Sequence, residues 1–188
     1  KTKELYTQCR MPSDALEMEE EKIKLGPFEA HQIIFCEGPM AVKNPLWSDL
    51  KFKLVKGEIL DISCRLAIDY VVSKGIFMLP FKDYFRVGST YDNQNQNEEP
   101  TDKGRGELLT RLSKLYKGNL EVLKHQAGLR PATFDRRPFV GFHAKHKNVG
   151  IFNGFGSKGV SLIPYFAMRL ADHICFGKKI PFEVNPIR

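Results

Sequence analysis

The sequence predicts an α/β plus α+β fold: an antiparallel sheet with a covering helix, flanked at both chain ends by pieces of an incomplete, doubly wound α/β domain. Three observations predict it. Residues 32–39 form a short apolar run halted by Gly38 and Pro39, as expected of a strand buried on both faces in a parallel sheet. Between Lys56 and Tyr91 lie four strand-like segments joined by turns too short to hold a helix, which implies antiparallel pairing. Residues 148–153 form a second buried-type strand that passes through Gly154-Phe155-Gly156-Ser157-Lys158-Gly159 into an apolar helix over about residues 160–174.

Taken in order, residues 22–29 alternate polar and apolar side chains and predict a strand ending in a turn. The four central segments are residues 58–62, 66–72, 76–80 and 85–90. The polar stretch 92–104 is rich in turn residues, and Thr101 or Asp102 within it can cap a helix over about 105–117. Leu108, Leu109, Leu112, Leu115 and Tyr116 recur at helical spacing, ready to cover the sheet. A further strand starts at Leu120, and the block from Gln126 to Thr133 follows it. The two chain ends supply too few strands for a doubly wound domain, so an N-terminal half is expected outside this chain. The opening Lys1-Thr2-Lys3, with no initiator Met, is read the same way.

Composition narrows the function classes. Hydrophobic residues at 42% and charged residues at 27% are globular values, and no apolar run reaches the roughly 20 residues that span a bilayer. The net charge of +7 invites nucleic acid, yet the basic residues are spread out and interleaved with acids, as in Glu19-Glu20-Glu21-Lys22. A basic surface also concentrates small anions. The four cysteines, Cys9, Cys36, Cys64 and Cys175, lack metal or disulfide spacing; Cys36 and Cys64 read as small buried hydrophobes, and a reducing cytoplasmic setting follows. The five histidines form no ligand pair, no metal site is expected, and His143 and His146 read as solvated.

Gly154-x-Gly156-x-x-Gly159 matches the dinucleotide fingerprint between a strand and a helix. Gly154 permits a tight turn, Gly156 lets backbone N–H groups approach a ligand, and the helix start adds partial positive charge. A purely structural turn and an ordinary nicotinamide-binding domain both remain open for this motif alone. The chain ends too soon after Gly159 for the rest of a nicotinamide-binding fold.

Several separated blocks in order are more specific. Ala127-Gly128-Leu129-Arg130-Pro131-Ala132-Thr133, then Asp135, then Pro138-Phe139-Val140-Gly141, then Val149 through Val160, resemble the C-terminal signature of the D-amino-acid oxidase family, which includes glycine and sarcosine oxidases. Ile33 through Gly38 resembles the family's mid-chain strand, Lys56-Gly57-Glu58-Ile59-Leu60 the strand entering its substrate domain, and Asn185-Pro186-Ile187-Arg188 its tail.

This resemblance implies an FAD-dependent oxidoreductase that oxidises the C–N bond of a small amine or amino acid by hydride transfer to flavin. It divides the chain into part of a Rossmann-like FAD-binding domain (1–47), a substrate-binding α+β domain (48–143), and the closing strand and helix of the FAD-binding domain (144–188). It gives Arg130 the substrate carboxylate, Lys158 a second carboxylate contact, and Phe77 and Tyr91 the pocket wall. It gives Gly38, Gly154, Phe155, Gly156, Ser157, Lys158, Gly159 and Val160 to the cofactor. The guanidinium suits the first role because it is planar, permanently charged and two-pronged. Plain structural roles for Arg130, Phe77 and Tyr91, and a solvated Lys158, stand beside these.

The sequence departs from the family at Phe155, where many members carry His, at Ser157, where glycine-oxidase-like members carry Arg, and at Phe77, where Tyr is frequent. Glu37 places a charge near the implied cofactor path without an evident role. Two alternatives accompany the enzyme reading: the oxidase domain of a tRNA wobble-uridine modifying enzyme, and a non-catalytic substrate-domain fragment. The missing N-terminal FAD-binding half is an implied partner, so the chain alone is expected to be colourless and inactive.

Overall fold

The computed structural model describes residues 16–18 and 22–188. In chain order the strands are β1 (Leu16–Met18), β2 (Ile23–Leu25), β3 (Phe28–Ala30), β4 (Ile33–Phe35), β5 (Phe52–Cys64), β6 (Val72–Ser73), β7 (Phe77–Pro80), β8 (Phe85–Gly88), β9 (Leu120–Thr133), β10 (Phe139–Phe142) and β11 (Val149–Asn153). The helices are α1 (Asp102–Leu112) and α2 (Gly159–Phe176). Short 3-10 turns occupy Gly38–Lys43, Pro45–Trp47, Gly156–Lys158 and Phe182–Val184. The chain divides into two units. One takes the described residues up to Lys51 with Arg137–Asn153 and Lys158–Arg188; the other takes Phe52–Arg136 with Gly154–Ser157.

The second unit is built on a five-stranded antiparallel sheet in the order β6-β7-β8-β5-β9. Strands β5 and β9 run beside each other from Phe52–Thr133 to Cys64–Leu120, with a bulge at Asp61/Ile62. One face of this sheet closes the core: Leu60, Ile62, Met78, Phe85 and Val87 pack with Leu108 and Leu112 of α1. Thr101 starts α1 by accepting from the Gly104 N–H at 3.0 Å. The helix begins earlier than about residue 105 and ends at Leu112, yet Leu115 and Tyr116 still reach the core from the turn beyond it.

The expected strand over 66–72 is reduced to Val72–Ser73. Leu66 and Ile68 pack against the core from irregular backbone instead, so their alternation records burial without pairing. Segments 120–123 and 126–133 belong to one strand, β9.

In the other unit β4 and β11 pair in parallel, β10 lies antiparallel on the far side of β11, and β1-β2-β3 form a small antiparallel sheet. The stretch 22–29 is therefore a hairpin, turned at Gly26 with φ +57°, and not one strand. Trp47, Phe35, Val140, Val149 and Ile151 are buried here. The tail is stapled to β10: Arg188 donates to the carbonyls of Pro138 and Arg137 and lies over the Phe139 ring.

Two expectations need correction. Cys36 is exposed, because β4 ends at Phe35 and the chain leaves the sheet into a 3-10 turn, and Cys64, the last residue of β5, is half-buried while packing against the core. His143 is half-buried rather than solvated: its ring meets the edge of Trp47 and stacks on His146. Cys9 and the opening residues lie outside the described residues. Among the described residues no helix is long and apolar enough to cross a membrane.

Candidate functional site

Strand alternation sorts β5 and β9 into two faces. Val55 stands opposite Arg130, Gly57 opposite Gly128, and Ile59 opposite Gln126, while Gly88 and then Phe77 extend the row across β8 and β7. These residues share the face turned away from α1. Glycine at 57, 88 and 128 removes side chains where one sheet face would otherwise be filled.

Arg130 lies in the space so made. A Cβ added to Gly57 would sit 2.0 Å from its Nη2, so the guanidinium rests directly on that glycine. Nη2 donates to Ser89 Oγ at 2.6 Å and Nη1 to the Thr90 carbonyl at 3.3 Å. The Tyr91 ring stacks on it, with Cζ 4.7 Å from the ring centre. Burial pushes the guanidinium below its ordinary value and the Tyr91 phenol pulls back the other way. Among the described residues no carboxylate pairs with Arg130. A half-buried cation held only by neutral acceptors and a ring keeps room for an anion.

Phe77 is half-buried on the same face, its ring lying over Gly88 where an added Cβ would meet it at 2.9 Å. Tyr91 is exposed, although the Arg130 guanidinium lies over its ring. Arg86, bidentate to Asp61 at 2.8 and 3.0 Å, is already neutralised at the far end of this face.

The glycine loop belongs to the same unit as Arg130. Gly154 and Gly156 have φ of +82° and +54°, conformations that L side chains rarely adopt. A Cβ at Gly156 would also lie 3.2 Å from Ala132 Cβ. Ala132 is two residues beyond Arg130 on the same face of β9, about 7 Å along the strand. Phe155 is half-buried and Ser157 exposed.

Lys158, Gly159 and Val160 fall in the other unit. Lys158 is exposed and its side chain caps nothing; α2 begins at Gly159 with no capping side chain and no acid in its first turn, and Val160 is 97% exposed. Gly38, also there, turns with φ +58°, and its carbonyl accepts from Asn153 Nδ2 at 2.8 Å. Glu37 beside it accepts from Asn44 Nδ2 at 2.9 Å, and Asn44 in turn caps Leu46. That charge therefore fastens the turn after β4.

Three residues given no site role by the sequence, Lys56, Glu58 and His125, form a polar cluster on the opposite face of β5. Lys56 is completely buried; its Nζ donates to Asn97 Oδ1 at 2.6 Å and to the Glu99 carbonyl, and lies 3.8 Å from Glu58. Glu58 accepts from Thr101 N–H at 2.9 Å, Thr101 Oγ1 at 2.8 Å and His125 Nε2 at 2.8 Å. Burial raises the Glu58 carboxyl, but these donors outweigh it and leave it lowered. Lys56 and Glu58 lie in the strand that the sequence predicts, and the return of a loop some 40 residues later buries them.

A family model described as FAD dependent oxidoreductase matches residues 5–173. A tRNA 5-methylaminomethyl-2-thiouridine biosynthesis bifunctional protein of Marinobacter nauticus is 30% identical over 147 residues, covering 70% of this chain and 23% of that protein. A glycine oxidase of Pseudomonas aeruginosa is 27% identical over 156 residues, covering 78% and 42%. In the solved L-proline dehydrogenase of P. horikoshii the fold is shared with a TM-score of 0.77 at 16% identity, over 95% of this chain and 53% of that one. The chain thus spans less than half the length of either of these curated relatives.

Proposed function

The chain belongs to the FAD-dependent oxidoreductase family, and from that premise we propose that it forms the substrate-recognising part of an enzyme oxidising the C–N bond of a small, carboxylate-bearing amine or amino acid. The single observation that carries the proposal is Arg130: a half-buried cation on a glycine floor, without an acidic partner among the described residues.

The residues present fit a flavin. Two glycines in left-handed conformations precede a helix whose first turn carries neither a capping side chain nor a carboxylate, which leaves backbone N–H groups for an electron-rich partner. Gly154, Phe155, Gly156, Ser157, Lys158, Gly159 and Val160, with Gly38, would hold it. FAD, when bound, supplies the acceptor for the hydride that leaves the substrate carbon. Arg130 fixes the carboxylate by charge-assisted hydrogen bonds and so aims the carbon that carries the amine. Tyr91 covers the guanidinium, and Phe77 and Ile59 supply an apolar wall. The reading includes a partner, an FAD-binding half outside these 188 residues, which the length of the relatives supports.

The test is made on the full-length flavoprotein. Arg130→Ala should raise KM for glycine or sarcosine about 100-fold, with Arg130→Lys in between. Unchanged KM in Arg130→Ala would overturn the anchoring role, and full-length protein without a visible flavin band would overturn the oxidase reading. A second reading, oxidation of an aminomethyl group on a tRNA wobble uridine, is favoured by the relative named for tRNA biosynthesis and the charge of +7. Anaerobic bleaching of the flavin by modified tRNA, with glycine, sarcosine and proline inert, would select it.

A further inference from the structure

Gly57, which floors the Arg130 guanidinium, stands between the two charged residues that are buried on the other side of β5. Lys56 exchanges backbone hydrogen bonds with Asp92, 2.8 Å from its N–H and 2.9 Å from its carbonyl. Glu58 bonds Thr90 twice, its N–H donating to the Thr90 side-chain Oγ1 at 2.9 Å and its carbonyl accepting from the Thr90 N–H at 3.2 Å. Tyr91 is thus pinned on both sides, and its neighbour Thr90 presents the carbonyl that Arg130 Nη1 uses.

Beyond Asp92 the chain runs through a polar loop that would be free in solution on composition alone. Here it is fastened. The Asp92 carboxylate accepts from Gln94 N–H at 2.8 Å and Asn95 Nδ2 at 2.6 Å. Lys56 Nζ holds Asn97 and Glu99, and Glu58 holds Thr101 where α1 begins. A lysine with no exposed surface is costly unless it is fully bonded, and both of its short contacts go to this one loop.

We propose that Lys56 and Glu58 are positioning residues for the anion site: by tying down residues 92–101 from beneath the sheet, they hold Tyr91 and the Thr90 carbonyl against Arg130 and set the direction of its guanidinium. The inference rests on the reading of Arg130 as the carboxylate anchor. It predicts that a residue about one sheet thickness away, with no contact to the ligand, controls how tightly a carboxylate binds.

Lys56→Met keeps the length and apolar stem of the side chain and removes the two loop anchors without stranding a charge, since Glu58 retains Thr101 and His125. In the flavin-loaded full-length protein, dissociation constants for acetate and benzoate are measured calorimetrically for wild type, Lys56→Met, Tyr91→Ala, the double variant and Arg130→Ala. Hydrogen exchange across residues 92–100 and the melting temperature are followed beside them. Lys56→Met should weaken carboxylate binding about tenfold and speed exchange in the loop. The double variant should bind no more weakly than Tyr91→Ala alone, because Lys56 acts through Tyr91. Glu58→Gln, which keeps one acceptor for Thr101, should lie between wild type and Lys56→Met.

Two results overturn the inference: Lys56→Met binding carboxylate as wild type does, or the two substitutions weakening binding additively. If Lys56→Met lowers the melting temperature so far that binding cannot be read, the Glu58→Gln series decides by the same criterion. Failure of the anchor reading looks different. In that case Arg130→Ala itself binds carboxylate normally, whatever Lys56 does.

Discussion

At the scale of single residues, the glycine under Arg130 separates folding from recognition. Gly57 is in a strand and has no need of a positive φ, so alanine there is compatible with the backbone and removes freedom from the unfolded chain. The added Cβ meets the far end of a flexible side chain, which can swing away at little energetic expense. Gly57→Ala should therefore leave the melting temperature within a few degrees of wild type while weakening acetate or benzoate binding about tenfold or more. Calorimetric titration beside a thermal melt checks this. Unaltered carboxylate affinity in a folded Gly57→Ala protein would contradict the glycine floor. The glycines of the 154–159 motif were legible in sequence because strand–glycine–helix punctuation is local. Gly57 carries no such local signal, because its reason for being glycine is a side chain 73 residues away on β9.

The same contrast holds for whole elements. Strands β4 and β11 and helix α2 follow from apolar runs that stop at glycine, and α1 follows from leucine spacing behind a capping threonine. Lys56, Glu58 and His125 were not legible, since polar alternation cannot say which strand face a distant loop will cover. The turn joining β10 to β11 is a similar case. His143 and His146, set among Lys145 and Lys147, read as solvated, yet His143 Nδ1 accepts from the N–H groups of Lys145 and His146 at 3.1 and 3.2 Å. Burial depresses the His143 pKa below 6.5; His146 and Lys145 depress it further, and Asp49 and a bond with the Leu46 backbone oppose them. A depressed base is held neutral by the fold. Its contribution is complete above about pH 6.5 and is lost as pH falls through the lower folded value, when a proton at Nδ1 takes the acceptor away. Amide exchange at Lys145, His146 and Val149, corrected for intrinsic rate, should quicken below that point, and the His143 ring should titrate below 6.5 in an NMR series. A His143 that titrates at or above 6.5 would refute this account of the turn.

At the scale of the whole molecule, the exposed surface of one unit bears on the partner half that the proposed function includes. Helix α2 exposes apolar side chains on more than one side, Val160, Ile163 and Ile174 on one and Met168 (72%) and Phe176 (73%) on another; only Leu170 of the helix is buried. An 18-residue helix with one buried position contributes little cohesion to its own unit, and exposed apolar surface of this extent marks a face that another layer covers. In the same unit the parallel pair β4–β11 is only two strands wide, although parallel pairs are almost always found inside larger, two-face-covered sheets. Both features are met if an FAD-binding half packs against this unit, as the greater length of the relatives suggests. The 188-residue chain produced alone should then be colourless and bind a hydrophobic dye strongly. Met168→Glu with Phe176→Glu should suppress the dye signal in the isolated chain but cost the full-length protein its flavin. A chain that purifies alone, yellow and dye-silent, would show that the exposed apolar face is finished surface and that the flavin needs no further half.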